Sequence, residues 1–214
     1  MRAMIIAVDG PTASGKGTIA KRLAEHYGLR RLDTGSLYRA VGLAVLDAGG
    51  DPTDEKAAVA AAEALDLQAI DEHRIRSAAV GAAASVVANI PAVRIVLRRA
   101  QRIFANDPHG AVLDGRDIGT VICPDAQVKF YVTAEPAVRV GRRLAELKSR
   151  GEHITYAELE RQIAERDARD MNRADSPLRQ APDAHLLDTT HLSIEAAVEA
   201  ARRIVDAALK RPAG

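Results

Sequence analysis

Met4–Val8 is an unbroken apolar run that ends in Asp9-Gly10, the pattern of a central parallel strand covered on both faces. A glycine-containing loop follows. The next segment predicts a helix from about Lys16 to Tyr27, with Ile19, Leu23 and Tyr27 four apart on one face and Gly28 as its stop. Arg31-Leu32 enters a short strand ending at Asp33-Thr34-Gly35, and a second helix runs from about Ser36 to Ala48, closed by Gly49-Gly50. Ala57–Leu65 and Ile75–Val87 read as further helices, and a weak pattern over Leu67–Arg76 predicts a small hairpin.

Pro91 suits a first-turn position and opens a helix to about Phe104. Ala111–Leu113 and Val128–Val132 are strands. Pro136 starts a helix to about Lys148, and Thr155 caps one to about Asp170. Leu186-Leu187 reads as a last strand and Ser193–Leu209 as a closing helix. Strands that alternate with helices imply an α/β fold with a parallel sheet wrapped on both sides.

Composition narrows the class. The chain has 214 residues, 47% of them hydrophobic and only 3% aromatic, with much of the apolar share in alanine, which favours helix-rich α/β over an all-β sandwich. A net charge of +1 gives no global field towards nucleic acid or anionic membrane. The lone Cys123 excludes an intramolecular disulfide and reads as a small buried hydrophobe in a turn before Pro124. No apolar run reaches the length of a membrane span, and the N-terminal run is too short for a signal peptide, so a cytoplasmic protein is expected. Neutral charge and the lack of heptads favour a monomer. The six histidines show no close pairing suited to metal ligation.

The chemistry starts at Gly10-Pro11-Thr12-Ala13-Ser14-Gly15-Lys16-Gly17-Thr18, a G-x-x-x-x-G-K loop between strand and helix. Gly10 and Gly15 allow a tight turn whose backbone N–H groups aim at phosphate oxygens, and the helix N-terminus adds its positive dipole end. Lys16 can reach the β- and γ-phosphates, and the Thr18 hydroxyl is the candidate for Mg²⁺ carried on ATP. Gly17 stands where GTPases and most ATPases have Ser or Thr, and this G-K-G-T variant resembles that of the nucleoside monophosphate kinases.

Three polar clusters follow. Asp33–Arg39 ends the second strand, where ligands of open α/β sheets bind. An N-capping Thr or Ser with a surface Arg explains it equally well. Asp114-Gly115-Arg116-Asp117 ends the next strand and reads as a polar binding turn or an internal ionic network. Arg166, Arg169, Asp170 and Arg173 recur at helical spacing, as a solvated charged face or as a supply of arginines to a phosphoryl group.

Taken together, D-G-P-x-x-x-G-K-G-T, D-T-G-x-x-Y-R, D-G-R-D-I-G-T and R-D-x-R-D-x-N-R resemble the bacterial cytidylate kinases in order and spacing. Ala84–Ala88 with Pro91–Arg94 is a fifth matching segment, and the resemblance spans roughly residues 4–205. It implies a three-layer α/β/α core with a five-stranded parallel sheet (1–50 and 91–214), a short lid at about 148–157 and a shortened monophosphate-binding insert at 51–90. It also implies transfer of the ATP γ-phosphoryl group to CMP and dCMP. Gly10–Thr18 would hold ATP, and Lys16, Arg116, Arg166 and Arg169 would neutralise charge during transfer. Asp33, Thr34, Arg39, Ser85, Arg94, Asp117, Asp170 and Arg173 would bind the acceptor.

Two other classes fit worse. A nucleotide switch would carry an N-K-x-D base-reading motif, and none occurs. A nucleic-acid module would interleave basic residues with aromatics, whereas Arg139–Arg179 is nearly charge-balanced with Tyr156 as its only aromatic. Within kinases, a UMP/CMP or other small-acceptor enzyme is the runner-up.

Overall fold

The computed structural model describes residues 3–67 and 69–210. Its centre is β1 (Ile5–Asp9), whose Ile6, Ala7 and Val8 are fully buried. Four further strands, β2 (Arg30–Asp33), β3 (Ala111–Gly115), β4 (Val128–Thr133) and β5 (His185–Asp188), complete a sheet of order β2-β3-β1-β4-β5. β1 runs parallel to β3, with Val8 opposite Asp114, and parallel to β4, with Asp9 opposite Tyr131. β5 lies parallel on β4. The expected five-stranded parallel α/β fold is present.

The registers matter because β1, β3 and β4 end side by side. Asp9, Asp114 and Tyr131 are therefore neighbours at one edge, although more than 100 residues separate the first from the others. Helices α1 (Lys16–Tyr27) and α8 (Ile194–Leu209) cover one face, burying Ile19, Leu23, Ala201 and Val205 with Ile6, Val8 and Phe130. Helices α6 (Pro136–Ser149) and α7 (Tyr156–Asn172) pack through Val140, Leu147, Leu159 and Ile163. Gly151, at φ +76°, ends α6, with its N–H and that of Glu152 returning to the Lys148 and Leu147 carbonyls. Thr155 caps α7 by accepting from Glu158 N–H at 3.2 Å, as its position before the helix predicts.

The chain packs as two units, 1–32 with 104–214, and 33–103. The second unit holds α2 (Thr34–Asp47), α3 (Glu55–Glu63), α4 (Ala78–Val87) and most of α5 (Pro91–Ala105). It is larger than the 51–90 segment because α2 packs directly on α4. Gly42 makes that contact close: a Cβ there would lie 2.9 Å from the Ala84 backbone nitrogen.

Two local expectations are corrected. The hairpin over Leu67–Arg76 is not formed, with no strand among the described residues of that stretch. Asp71 instead accepts from the amides of His73 and Arg74, at 2.9 and 3.1 Å, and directs the chain into a 3₁₀ turn at Arg74–Arg76. Gln68 lies outside the described residues. The helix expected from Ile75 begins at Ala78 because Ser77 caps it, accepting from Val80 N–H.

Candidate active site

The loop after β1 is built by backbone constraint. Gly10 has φ +154°, and a Cβ on it would stand 2.0 Å from the Val132 carbonyl oxygen, so only glycine fits. Gly15, at φ +92°, is the N-terminal cap of α1, and its carbonyl accepts from the amides of Thr18 and Ile19. No residue of the first turn of α1 is acidic, so none of that turn's own side chains offsets the positive helix end. Lys16 Nζ bends back to the Pro11 carbonyl at 3.1 Å, which holds the ammonium along the loop. Ser14 is fully buried. Behind it Thr189 Oγ1 donates to the Ser14 carbonyl at 2.9 Å, while Arg142 grips Thr189 at both Oγ1 and carbonyl.

A cavity of about 470 Å³ opens beside this loop, lined by Ala13, Gly15, Thr18, Arg142, Thr189 and Ser193 among others. Thr18 is exposed and faces it. Of these residues, Arg142, Thr189 and Ser193 carried no motif in the sequence. They become legible only when β5 and α6 are brought to the loop.

Asp9 also lies outside the expected set of site residues. It is 4% exposed, and its two carboxylate oxygens accept from Ile118 N–H at 2.8 Å and Gly119 N–H at 2.7 Å. Those bonds fix a π-helical turn, Ile118–Ile122, directly after Arg116-Asp117. Burial pushes the Asp9 carboxyl up to about 7; nearby Asp117 adds to this, while the two amides and Arg116 oppose it. Cys123 is buried at the end of the same turn, as expected.

Arg116 joins the loop to α7. Its Nη2 donates to Thr12 Oγ1 at 3.0 Å and its Nε to Asp170 Oδ2 at 2.8 Å. Arg173 lies within 3.8 Å of both Asp170 and Asp117, and its Nε donates to the Ser176 carbonyl at 2.7 Å. Burial would raise the Asp170 pKa, but Arg116, Arg166 and Arg173 together hold it below the ordinary carboxylate value. Arg116, Arg166, Asp117, Asp170 and Arg173 therefore form one largely buried charge network, whereas Arg169 is exposed on the last turn of α7.

The remaining expected residues belong to the other unit. Asp33 caps α2 by accepting from Gly35 N–H at 2.9 Å, so neither Thr34 nor Ser36 is the cap, and both are buried. Arg39 donates to the Ile75 carbonyl at 3.2 Å in space left by Gly81, where a Cβ would come to 3.3 Å from Nη1. Arg94 is 2% exposed, donates to the Tyr38 hydroxyl at 3.3 Å and lies 5.8 Å from that ring's centre. Ser85 is also buried.

Among the described residues no group of three or more His, Cys, Asp or Glu side chains could hold a metal by itself. The donor set does fit a cation that arrives on a polyphosphate. Asp114 is 2% exposed and held by Arg31 at 3.0 Å, and its Oδ2 lies 3.6 Å from where a Gly17 Cβ would be. A carboxylate thus stands against the first turn of α1, with Thr18 one residue further on.

The sequence matches the model of the family "Cytidylate kinase" over residues 6–207. The chain belongs to the cytidylate kinase family. It is 58% identical to the cytidylate kinase of Rhodopseudomonas palustris (strain BisA53) over 204 residues, covering 95% of this chain and 97% of the relative. It is 55% identical over 210 residues to that of Brucella suis biovar 1 (strain 1330), covering 98% and 96%. A solved structure of an uncharacterized protein from Eubacterium ventriosum superposes with a TM-score of 0.56 at 15% identity, covering 95% and 98%, and shares the fold. Family membership makes the protein a nucleotide-binding kinase.

Proposed function

We propose that the protein transfers the γ-phosphoryl group of ATP to CMP and dCMP, with Mg²⁺ carried on the ATP. The observation that carries this reading is Arg116, one guanidinium bonded both to Thr12 of the phosphate loop and to Asp170 beside Arg173. Donor-holding and charge-neutralising groups share one network, as phosphoryl transfer needs. The names of the relatives support the acceptor. A single buried Cys123 fits a reducing compartment, and we place the enzyme in the cytoplasm.

The attacking atom is an oxygen of the CMP phosphate, already largely ionised near neutrality because its second pKa is about 6. No general base is required. The new O–P bond forms in line as the bond to the β,γ-bridging oxygen breaks and ADP leaves. The barrier is alignment and charge, which Lys16, Arg116, Arg166 and Arg169 lower electrostatically. Mg²⁺, held by Thr18 and Asp114, would neutralise charge on the β- and γ-phosphates. Asp33, Thr34, Arg39, Ser85, Arg94, Asp117, Asp170 and Arg173 bind CMP, and the 148–157 segment closes over ATP. The 51–90 segment is a shortened monophosphate-binding insert, and the cavity beside Arg142 and Thr189 receives the donor's base.

Coupled ADP release with CMP, dCMP, UMP, AMP and shikimate tests this. CMP and dCMP should give the highest kcat/KM, and a preference for UMP or AMP would overturn the assignment.

A further inference from the structure

Thr12 is held twice. Its hydroxyl accepts from Arg116 Nη2 at 3.0 Å, and its carbonyl accepts from Arg139 Nη1 at 3.1 Å. Each arginine is anchored to an acid of α7, Arg116 to Asp170 and Arg139 to Asp167 at 2.5 Å. The two acids are three residues apart and so share one face of α7. Neither arginine belongs to α7: Arg116 follows β3, and Arg139 sits on α6 with its Nε on the Ala134 carbonyl. Two parallel Asp–Arg–Thr12 chains thus connect one loop residue to one helix.

Stability alone gives little reason for the second chain. Arg139 and Asp167 are each 7% exposed, and a buried ion pair is commonly matched or bettered by well-packed apolar side chains. Asp167 Oδ1 is buried with no hydrogen-bond partner among the described residues, a cost a purely structural pair would avoid. The geometry does give a reason. A slide of α7 by one residue, about 1.5 Å, would break both chains, and displacements near 1 Å can cost about a hundredfold in rate.

We propose that Arg139 and Asp167 are positioning residues: with Arg116 and Asp170 they lock α7 to Thr12, so that filling the phosphate loop sets the place of the α7 arginines. The kinetic half of this rests on the phosphoryl-transfer reading; the coupling of loop to helix does not.

The test is hydrogen exchange on the full chain with and without ATP·Mg²⁺, together with steady-state kinetics. In the wild type, ATP should slow exchange in both the 10–18 loop and α7. In Asp167→Asn the loop should still be protected while α7 no longer follows. The same variant should lose at least tenfold in kcat with KM for ATP and CMP within threefold, and Asp167→Glu should recover part of it. Equal ATP protection of α7 in Asp167→Asn would overturn the proposal. So would kcat within twofold of wild type alongside a lowered melting temperature, which would mark a structural pair. A wild type that protects loop and helix but does not turn over CMP would sink the reaction assignment and leave the coupling standing. Failure of ATP to protect the wild-type loop would sink both.

Discussion

Asp9 ends β1 with both carboxylate oxygens committed to the amides of Ile118 and Gly119, and it does so while buried. A carboxyl raised from its ordinary 3.8 to about 7 holds its proton more tightly in the folded than in the unfolded chain. Between about pH 4 and pH 7 the folded state therefore binds more protons, and the stability contributed by this group falls as pH rises through that window. Asp9→Asn keeps one acceptor oxygen and puts an amide NH₂ against the other backbone N–H, a cost of about 1–3 kcal/mol near pH 5. Only the wild type ionises at this site above that, so the deficit of the variant should shrink between pH 5 and pH 8. Urea midpoints at the two pH values measure it, and a deficit that stays constant would mean that Asp9 does not titrate in this range. Asp9 stands in the D-G-P motif, yet the sequence gives no sign of what its carboxylate caps. The partner amides lie about 110 residues away and are brought to it by the parallel β1–β3 register.

At the scale of elements, what depends on neighbours in sequence was legible and what depends on register was not. The run Met4–Val8 and the Lys16–Gly28 periodicity locate β1 and α1 because a buried strand and an amphipathic helix are set by their own residues. The recurrence of Arg166, Arg169, Asp170 and Arg173 marks α7 for the same reason. Its partner Arg139 comes from another helix, and Arg31 reaches Asp114 from another strand, so neither pairing has a local signature. The Leu67–Arg76 hairpin fails because Asp71 offers the backbone a turn. Two helical glycines show how packing overrides propensity. Gly141 of α6 is exposed, and an alanine Cβ there would meet nothing within 4 Å, so Gly141→Ala should raise stability by about 0.5–1 kcal/mol. Gly42 of α2 is buried, and the corresponding Cβ would stand 2.9 Å from the Ala84 backbone nitrogen. There the same propensity gain is outweighed by overpacking of about 1–3 kcal/mol. Gly42→Ala should therefore lower stability while Gly141→Ala raises it; two urea titrations decide it, and equal signs would refute the packing argument.

At the scale of the whole molecule, the phosphate loop and three of the residues assigned to CMP, Asp117, Asp170 and Arg173, lie in one packing unit. The loop precedes α1 and Arg173 follows α7, so donor and acceptor binding should be separable by mutation. Free ATP·Mg²⁺ at a hundred times its Kd adds about 2.7 kcal/mol to folding stability. For a chain of this size that corresponds to a rise of roughly 5–10 °C in melting temperature. Arg173 touches Asp117, Asp170 and the Ser176 carbonyl. Arg173→Ala should accordingly melt earlier than wild type without ligand, because two buried acids lose a counter-charge. Measured from that lower baseline, its ATP-induced rise should be kept, its CMP-induced rise lost, and its CMP turnover reduced by about 10²–10³-fold, the scale of one removed charge-stabilising group. Loss of the ATP-induced rise as well would place Arg173 in the donor site, and the division of labour between the loop and the α7 network would have to be redrawn.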